Sequence, residues 1–349
     1  MLITILATIF VLGVLVFFHE LGHFLVAKKS GIRVEKFSLG FPPTLISKKW
    51  GETEYALGVI PLGGYVKMAG EQPNEEVSGE PWEFMSKPIW KRFLVIGAGP
   101  FMNFVLAIVV LTGLYMVRGQ EVEAVHIGYV SPNSPAEKAG LKMGDMIVAI
   151  DGIEIKTFQD MADIIYKKVE QPIEVTWRRD SITTTSTLVT YKDFAVTPKG
   201  DTIAVGKIGV GNQPVFKRLG IIQAFGAGIA QSIFYVEKVF EFVGGLISRT
   251  VTPSEIGGPI LISQIAGATA RAGFDILLEF LALLSVNLAV LNILPIPLLD
   301  GGHLLFLLVE RLKGSPVSIK TRLIIQQIGI AFLLILVVFV TINDIGRWN

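Results

Sequence analysis

Four stretches of the chain are almost free of charge over the length a bilayer demands: residues 2–18, 93–117, 276–299 and 323–342. A helix needs about 20 mostly apolar residues to cross the hydrocarbon core, so these four are expected to be transmembrane helices. Residues 50–70 mix β-prone positions with too much Gly and Pro for a helix, and predict a hairpin turning at Gly63-Gly64. Residues 71–83, acidic and rich in Pro and Gly, read as an exposed loop. From about 121 to 211 the pattern becomes that of a soluble protein, with a helical period near 158–168 and β-branched runs at 173–177 and 183–189. That is a separate domain of roughly 90 residues, near the lower size for one that folds alone.

The stretch 219–236 is ambiguous, being apolar and uncharged for about the length of a short span. It contains Gly220, Gly226 and Gly228 and runs amphipathically into Glu237, Lys238 and Glu241. A crossing here would reverse the next span and carry Asp300 to the face far from His19 and His23. An interfacial helix is therefore preferred to a fifth span.

Composition supports the membrane class: 51% of the 349 residues are hydrophobic, and the mean hydropathy is +0.57. The first run begins at Met1 without a basic region or a small-residue cleavage site and continues into His19, so it is expected to stay in the mature protein. A net charge of +1, from 31 basic and 30 acidic residues, gives no reason to expect a nucleic-acid partner. The absence of cysteine removes disulfides and thiolate ligands, leaving His and carboxylate as the strong metal ligands. Basic residues cluster at Lys28, Lys29, Arg33 and Lys36, at Lys87, Lys91 and Arg92, and at Arg311, Lys313, Lys320 and Arg322. With four spans all three clusters fall on one side, which the positive-inside rule makes cytoplasmic, with the long segment from about 119 to 274 outside.

His19-Glu20-Leu21-Gly22-His23 sets two imidazoles four residues apart, on one face of a helix, where both can bind one Zn2+. The carboxylate of Glu20 then stands beside the metal as the general base for an attacking water. Chance alone produces such a pattern, but here it ends an apolar helix, where ionisable residues are functional by default. Asp300 offers the third ligand, just past a span broken by Pro295 and Pro297. His303 competes for that role from three residues away, and a carboxylate beside two His is preferred because it matches known catalytic zinc sites. Asn103, Asn287 and Asn292 lie inside apolar helices, equally suited to helix-to-helix hydrogen bonding and to holding substrate backbone. Gly97, Gly99 and Pro100 are read as packing residues.

With these residues in place, the chain resembles the site-2 protease family of intramembrane metalloproteases, in its bacterial regulator-of-sigma-E-protease branch, over nearly its whole length. The matching pieces are PhePheHisGluLeuGlyHisPhe at 17–24, PheSerLeuGlyPhe at 37–41, ProLeuGlyGlyTyrValLysMet at 61–68, AlaGlyProPheMetAsnPhe at 98–104, GlyGlyPro at 257–259 and AsnIleLeuProIleProLeuLeuAspGlyGlyHis at 292–303. The resemblance implies His19, His23 and Asp300 as zinc ligands, Glu20 as the catalytic residue, and Asn292 with Asn287 as substrate contacts. It implies that the hairpin at about 50–70 re-enters the membrane near the metal. Residues 129–147 resemble a PDZ domain, with a short helix and turn over 136–144 and a closing strand at 207–210. Many relatives carry two such domains, and this chain has room for one.

The expected architecture is a polytopic α-helical membrane protein of four transmembrane helices. Residues 1–119 hold the first two spans, the metal motif and the re-entrant β-hairpin, and 120–212 form one inserted extracytoplasmic PDZ-like α+β domain. Residues 213–274 form an interfacial amphipathic linker, and 275–349 hold the last two spans with the third ligand. The expected function is zinc-dependent cleavage of single-span proteins in the bacterial inner membrane, such as anti-sigma factors already trimmed outside or remnant signal peptides. The competing classes are a non-proteolytic PDZ scaffold, a membrane-anchored zincin acting on soluble proteins, and a metal transporter. Transport is disfavoured because a single ligand cluster appears and Glu20 would have no task.

Overall fold

The computed structural model describes residues 1–71, 78–122, 124–196 and 202–346, so the loop expected at 71–83 lies partly outside the described residues. In chain order the first elements are α1 (Leu2–Lys29), β1 (Val34–Trp50), β2 (Thr53–Met68), α2 (Ile89–Val117), β3 (Gln120–Glu121), β4 (Val125–Val130), α3 (Pro135–Lys138), β5 (Met146–Ile150) and β6 (Ile153–Glu154). There follow α4 (Phe158–Tyr166), β7 (Pro172–Arg179), β8 (Ile182–Val189), β9 (Tyr191–Val196), β10 (Thr202–Lys207), β11 (Val210–Asn212) and β12 (Phe216–Lys217). The remainder is helical: α5 (Ile221–Ser248), α6 (Pro259–Ala272), α7 (Phe274–Ile293), α8 (Asp300–Lys313) and α9 (Ile319–Gly346). The chain divides into two compact units, Met1–Val117 with Gly220–Asn349, and Arg118–Leu219.

In the first unit, α1, α2, α7 and α9 are the four helices among the described residues that are long and apolar enough to cross a membrane. Apolar side chains such as Ile3, Leu6, Ile9, Phe332, Ile335 and Val338 are exposed along α1 and α9. A water-soluble protein does not leave faces of that extent bare, whereas lipid covers them without cost. Helix α2 is the centre of this unit. Leu106 packs with Val11 and Leu15 of α1 and Leu281 of α7, while Ala107, Leu111 and Leu114 pack with Ala282 and Val286 of α7 and with Tyr235 and Val239 of α5. The stretch expected as a linker thus holds two helices seated against the long apolar ones. Nothing breaks α5 between Ile221 and Gly244, and Arg249, in the left-handed conformation at φ 60°, ends it.

A buried ion pair ties α2 to α8. Arg92 donates to both carboxylate oxygens of Glu310, at 3.1 and 2.5 Å, and both residues are buried. Arg322 of α9 stands 3.6 Å from the same carboxylate. Such a pair, once desolvated, holds its geometry because removing either partner strands a buried charge. It fixes the helix that begins with Asp300 relative to the one that backs His19 and His23.

Strands β1 and β2 pair across Gly51 and Glu52, Trp50 lying opposite Thr53, and not around Gly63-Gly64 as the sequence pattern predicts. Gly51 has φ +62°, which a two-residue turn needs and which glycine adopts without strain. Gly64 instead lies in β2, where a side chain would meet Ser38 O and the Glu20 side chain of α1. Both strands bend, so that residues 36–39 of β1 are flanked on one side by 64–67 and on the other by 54–57. Residues 54–57 are therefore interior to the sheet, and 64–68 lie on its edge.

The second unit has a sheet in the order β11-β4-β5-β7-β8, with β6 paired to β5 and a separate β9–β10 hairpin. Alternation along β4 and β7 turns Val125, Ile127, Ile173, Val175 and Trp177 into a core closed by Met161 and Ile165 of α4. Thr157 and Asp160 cap α4 reciprocally. Asp145, 1% exposed, accepts from Arg179 Nε at 2.7 Å, Arg179 Nη2 at 2.8 Å and the Lys142 N–H at 2.8 Å. Burial pushes its carboxyl up, but the guanidinium and the backbone N–H outweigh it and hold the group below its ordinary value. A depressed folded-state pKa stabilises above the unfolded value of about 3.9, and the contribution is lost as pH falls through the folded value. The Asp145→Asn protein is expected to be less stable at pH 7 by on the order of 1–2 kcal/mol, Arg179 keeping part of its hydration. The gap to wild type should close as the pH of thermal melts drops below about 4; a gap of constant size would exclude this pair as its source.

Candidate metal centre

The last turns of α1 carry His19 and His23 on one face, and the break between α7 and α8 delivers Asp300 to them. Pro295 and Pro297 cannot continue α7, which stops at Ile293 and not at 299, and the chain makes a short turn through residues 294–299. Leu298 takes φ +79° there, a conformation a branched side chain pays for. α8 then restarts with Asp300 as its first residue.

His19 Nε2 lies 3.2 Å from His23 Nε2 and 3.2 Å from Asp300 Oδ2, and His23 Nε2 lies 3.6 Å from Asp300 Oδ1. Among the described residues this is the group of His and carboxylate donors close enough to hold one ion, all its ligand atoms lying within 4.8 Å of one another. Donors at Zn–N distances of about 2.0–2.1 Å in a tetrahedron stand about 3.3–3.4 Å apart, which is the spacing seen here. Asp300 Oδ2 is buried and makes no hydrogen bond. A buried carboxylate oxygen left bare is costly unless a cation takes it. The site fits zinc.

His303, three residues beyond Asp300, lines the same cavity but does not belong to the converging group. That cavity, of about 310 Å3, is bounded by Glu20 and the two histidines, by Gly64, Tyr65, Val66 and Met68 on the β2 edge, and by Asn292, Leu298 and Asp300. Phe306 of α8 and Arg322 and Gln326 of α9 also line it. Glu20 is turned into the cavity, where its carboxylate accepts from the Val66 N–H. Asn292 is 8% exposed and lines the cavity, whereas Asn287 does not. Five residues apart on a helix, the two amides point about 140° from each other.

Sequence reasoning missed how much α2 contributes. His23 Nδ1 meets the Val95 carbonyl at 2.8 Å, and His19 Nδ1 meets the side-chain amide of Asn103 at 3.3 Å. Gly99, between them, lies so close that an added Cβ would fall on His23 Nε2 and within 2.8 Å of His19 Cε1. A polar side chain buried in an apolar helix was a signal for Asn103; a main-chain carbonyl leaves none.

An apolar helix carrying a His-Glu-x-x-His turn, met by a carboxylate from a second, broken helix, defines a membrane-embedded metallopeptidase. The chain matches the model of peptidase family M50 over residues 7–336 and belongs to that family. It is an intramembrane zinc metalloprotease. A Rhizobium meliloti (strain 1021) protein named for a zinc metalloprotease is 37% identical over 98% of this chain and 96% of its own. The regulator of sigma-W protease RasP of Bacillus subtilis (strain 168) is 30% identical over 99% of this chain and 98% of its own. Among solved structures, the PDZ domain of an SdrC-like protein from Listeria monocytogenes is similar to 26% of this chain over 87% of its own length, at 24% identity and a TM-score of 0.21.

Proposed function

We propose that the protein hydrolyses peptide bonds in the membrane segments of single-span proteins, with His19, His23 and Asp300 holding zinc and Glu20 as general base. The observation that carries this reading is the triangle of ligand atoms at 3.2, 3.2 and 3.6 Å at the end of an apolar helix, opening on a cavity edged by a β-strand. Zinc, when bound, supplies the Lewis acid for the scissile carbonyl and the water that attacks it. Glu20 takes the proton of that water and passes it to the leaving nitrogen, its carboxylate held in place by the Val66 N–H. Asn292 presents its amide to the substrate backbone from the opposite wall.

A transmembrane helix hides its peptide bonds within its own hydrogen bonds, so cleavage requires an unwound stretch with other partners. Residues 64–68 supply them: among the described residues no strand pairs with them on the cavity side. This edge, and not the interior residues 54–57, is where a substrate strand would add. Val66→Pro removes the N–H on this edge that holds Glu20, and is expected to lower cleavage at least about tenfold with zinc content unchanged, while Val66→Ala, which keeps the backbone, stays near wild type. Equal cleavage by both would mean that this main-chain N–H serves neither Glu20 nor a substrate strand.

The positive-inside rule supports a cytoplasm on the side of the three basic clusters, with the metal near that face of the bacterial inner membrane and residues 118–219 outside. That unit is a PDZ-like domain, with a groove of about 310 Å3 between α4 and the β10–β11 connection that restricts entry to substrates trimmed of bulky outer domains. Trimmed anti-sigma factors and remnant signal peptides fit that requirement. The deciding experiment is cleavage of a tagged single-span protein by the detergent-purified enzyme, with chelation and zinc re-addition. Cleavage mapped within the span and abolished by chelator supports the proposal; cleavage confined to soluble flanks overturns it.

A further inference from the structure

We infer that Asn103 is a positioning residue for the metal, accepting a hydrogen bond from His19 Nδ1–H and so fixing which ring nitrogen faces the ion. The inference rests on the metal-site reading above. A histidine that ligates through Nε2 carries its remaining proton on Nδ1, and that proton needs an acceptor. For His23 the acceptor is the Val95 carbonyl, at 2.8 Å. For His19 the group facing Nδ1 is the Asn103 amide, at 3.3 Å.

An amide offers an oxygen or an NH2 at nearly the same place, and the protonation state of His19 selects between them. Ligation through Nε2 demands the oxygen. The half-turn of the amide that presents Oδ1 to Nδ1 gives Oδ1, which otherwise makes no hydrogen bond, a donor, and sets the NH2 in the place that Oδ1 leaves. Asn103 is 0% exposed and is absent from the residues lining the cavity, so its side chain is out of reach of substrate. Ser285 of α7 donates to the Asn103 carbonyl at 2.7 Å, away from the side-chain amide.

The spacing supports the assignment. Val95, Gly99 and Asn103 recur every four residues along one stripe of α2, just as His19 and His23 do on α1. The stripe gives each imidazole one acceptor, with Gly99 leaving room for the rings between them. An aliphatic residue at 103 would pack equally well and leave His19 free to turn or change tautomer.

The test is zinc affinity of the full-length protein in detergent, by chelator competition, with the absorption spectrum of the Co2+-substituted form. Asn103→Leu is expected to weaken zinc roughly 10–100-fold and to alter the Co2+ ligand-field bands. Asn103→Asp keeps an acceptor of the same shape and should bind zinc within a few-fold of wild type. Ser285→Ala disturbs the same spot without removing the acceptor and should leave both readouts unchanged. Wild-type affinity with an unaltered Co2+ spectrum in Asn103→Leu overturns the inference. So does a weakening of roughly 10–100-fold in Asn103→Asp, a result that decides the matter even if the leucine protein fails to accumulate. Asp300→Ala is run alongside: loss of zinc there with full retention in Asn103→Leu would refute the role of Asn103 alone, whereas zinc retained in Asp300→Ala would refute the site itself.

Discussion

Replacing Glu20 with Gln should slow cleavage of a single-span substrate by about 10²–10⁴-fold while zinc stays bound at full stoichiometry. The separation of the two effects follows from geometry. Glu20 does not belong to the converging group of His19, His23 and Asp300, and no candidate ligand atom is lost with it. One position on from His19, it is turned about 100° around α1, into the cavity and toward the β2 edge. Glutamine has the same shape and can still accept from the Val66 N–H, so the strand edge should stay where it is. What it cannot do is take a proton. Zinc content and turnover measured on one preparation decide the outcome. Undiminished turnover would remove Glu20 from the chemistry, and loss of zinc would make it part of the metal's support instead.

The parts of this site that were legible in the sequence are those whose signal is a residue type in the wrong solvent. Two histidines and an aspartate at the ends of charge-free runs are costly there, and a four-residue spacing on a helix brings the histidines together without further information. The break at Pro295 and Pro297 was equally plain, although its consequence, a restart of the helix at Asp300 itself, depends on the turn through Leu298. The sheet was only half legible. Both Gly51 and Gly63-Gly64 are turn signals, and composition cannot tell a glycine chosen for its positive φ from one chosen because Glu20 of another helix comes too near for a side chain. Least legible was the contribution of α2, since the Val95 carbonyl has no residue identity and Gly99 reads the same whether it faces lipid or the rings of His19 and His23. The long helix at Ile221–Ser248 was obscured for another reason. Its packing face is spread among glycines and its charges are few, so length and polarity alone left interfacial and spanning readings open.

The two glycines of the Gly97-Ala98-Gly99-Pro100 turn of α2 offer the sharper test of this account, because they should respond in opposite ways to the same change. At Gly97 an added Cβ meets nothing within 4 Å, so Gly97→Ala should fold as well as wild type, or better by up to about 1 kcal/mol, from the lower entropy of alanine in a helix. At Gly99 the same methyl would overlap His23 Nε2 and crowd His19 Cε1 from behind. The rings have little freedom to retreat: His23 is held at Val95 O and His19 faces Asn103, so the strain must fall on the ligand triangle or on the contact between α1 and α2. Overpacking of this kind costs about 1–3 kcal/mol. Displaced ligands should cost zinc more than loss of an outer partner does, so a weakening beyond about 100-fold is expected for Gly99→Ala. Helicity and thermal stability measured on the metal-free proteins, set beside zinc affinity, separate the two contributions. If α2 backs the metal as described, Gly99→Ala loses zinc affinity as well as stability, and Gly97→Ala loses neither. Zinc affinities that match in the two variants would mean that this stripe of α2 is packing surface only.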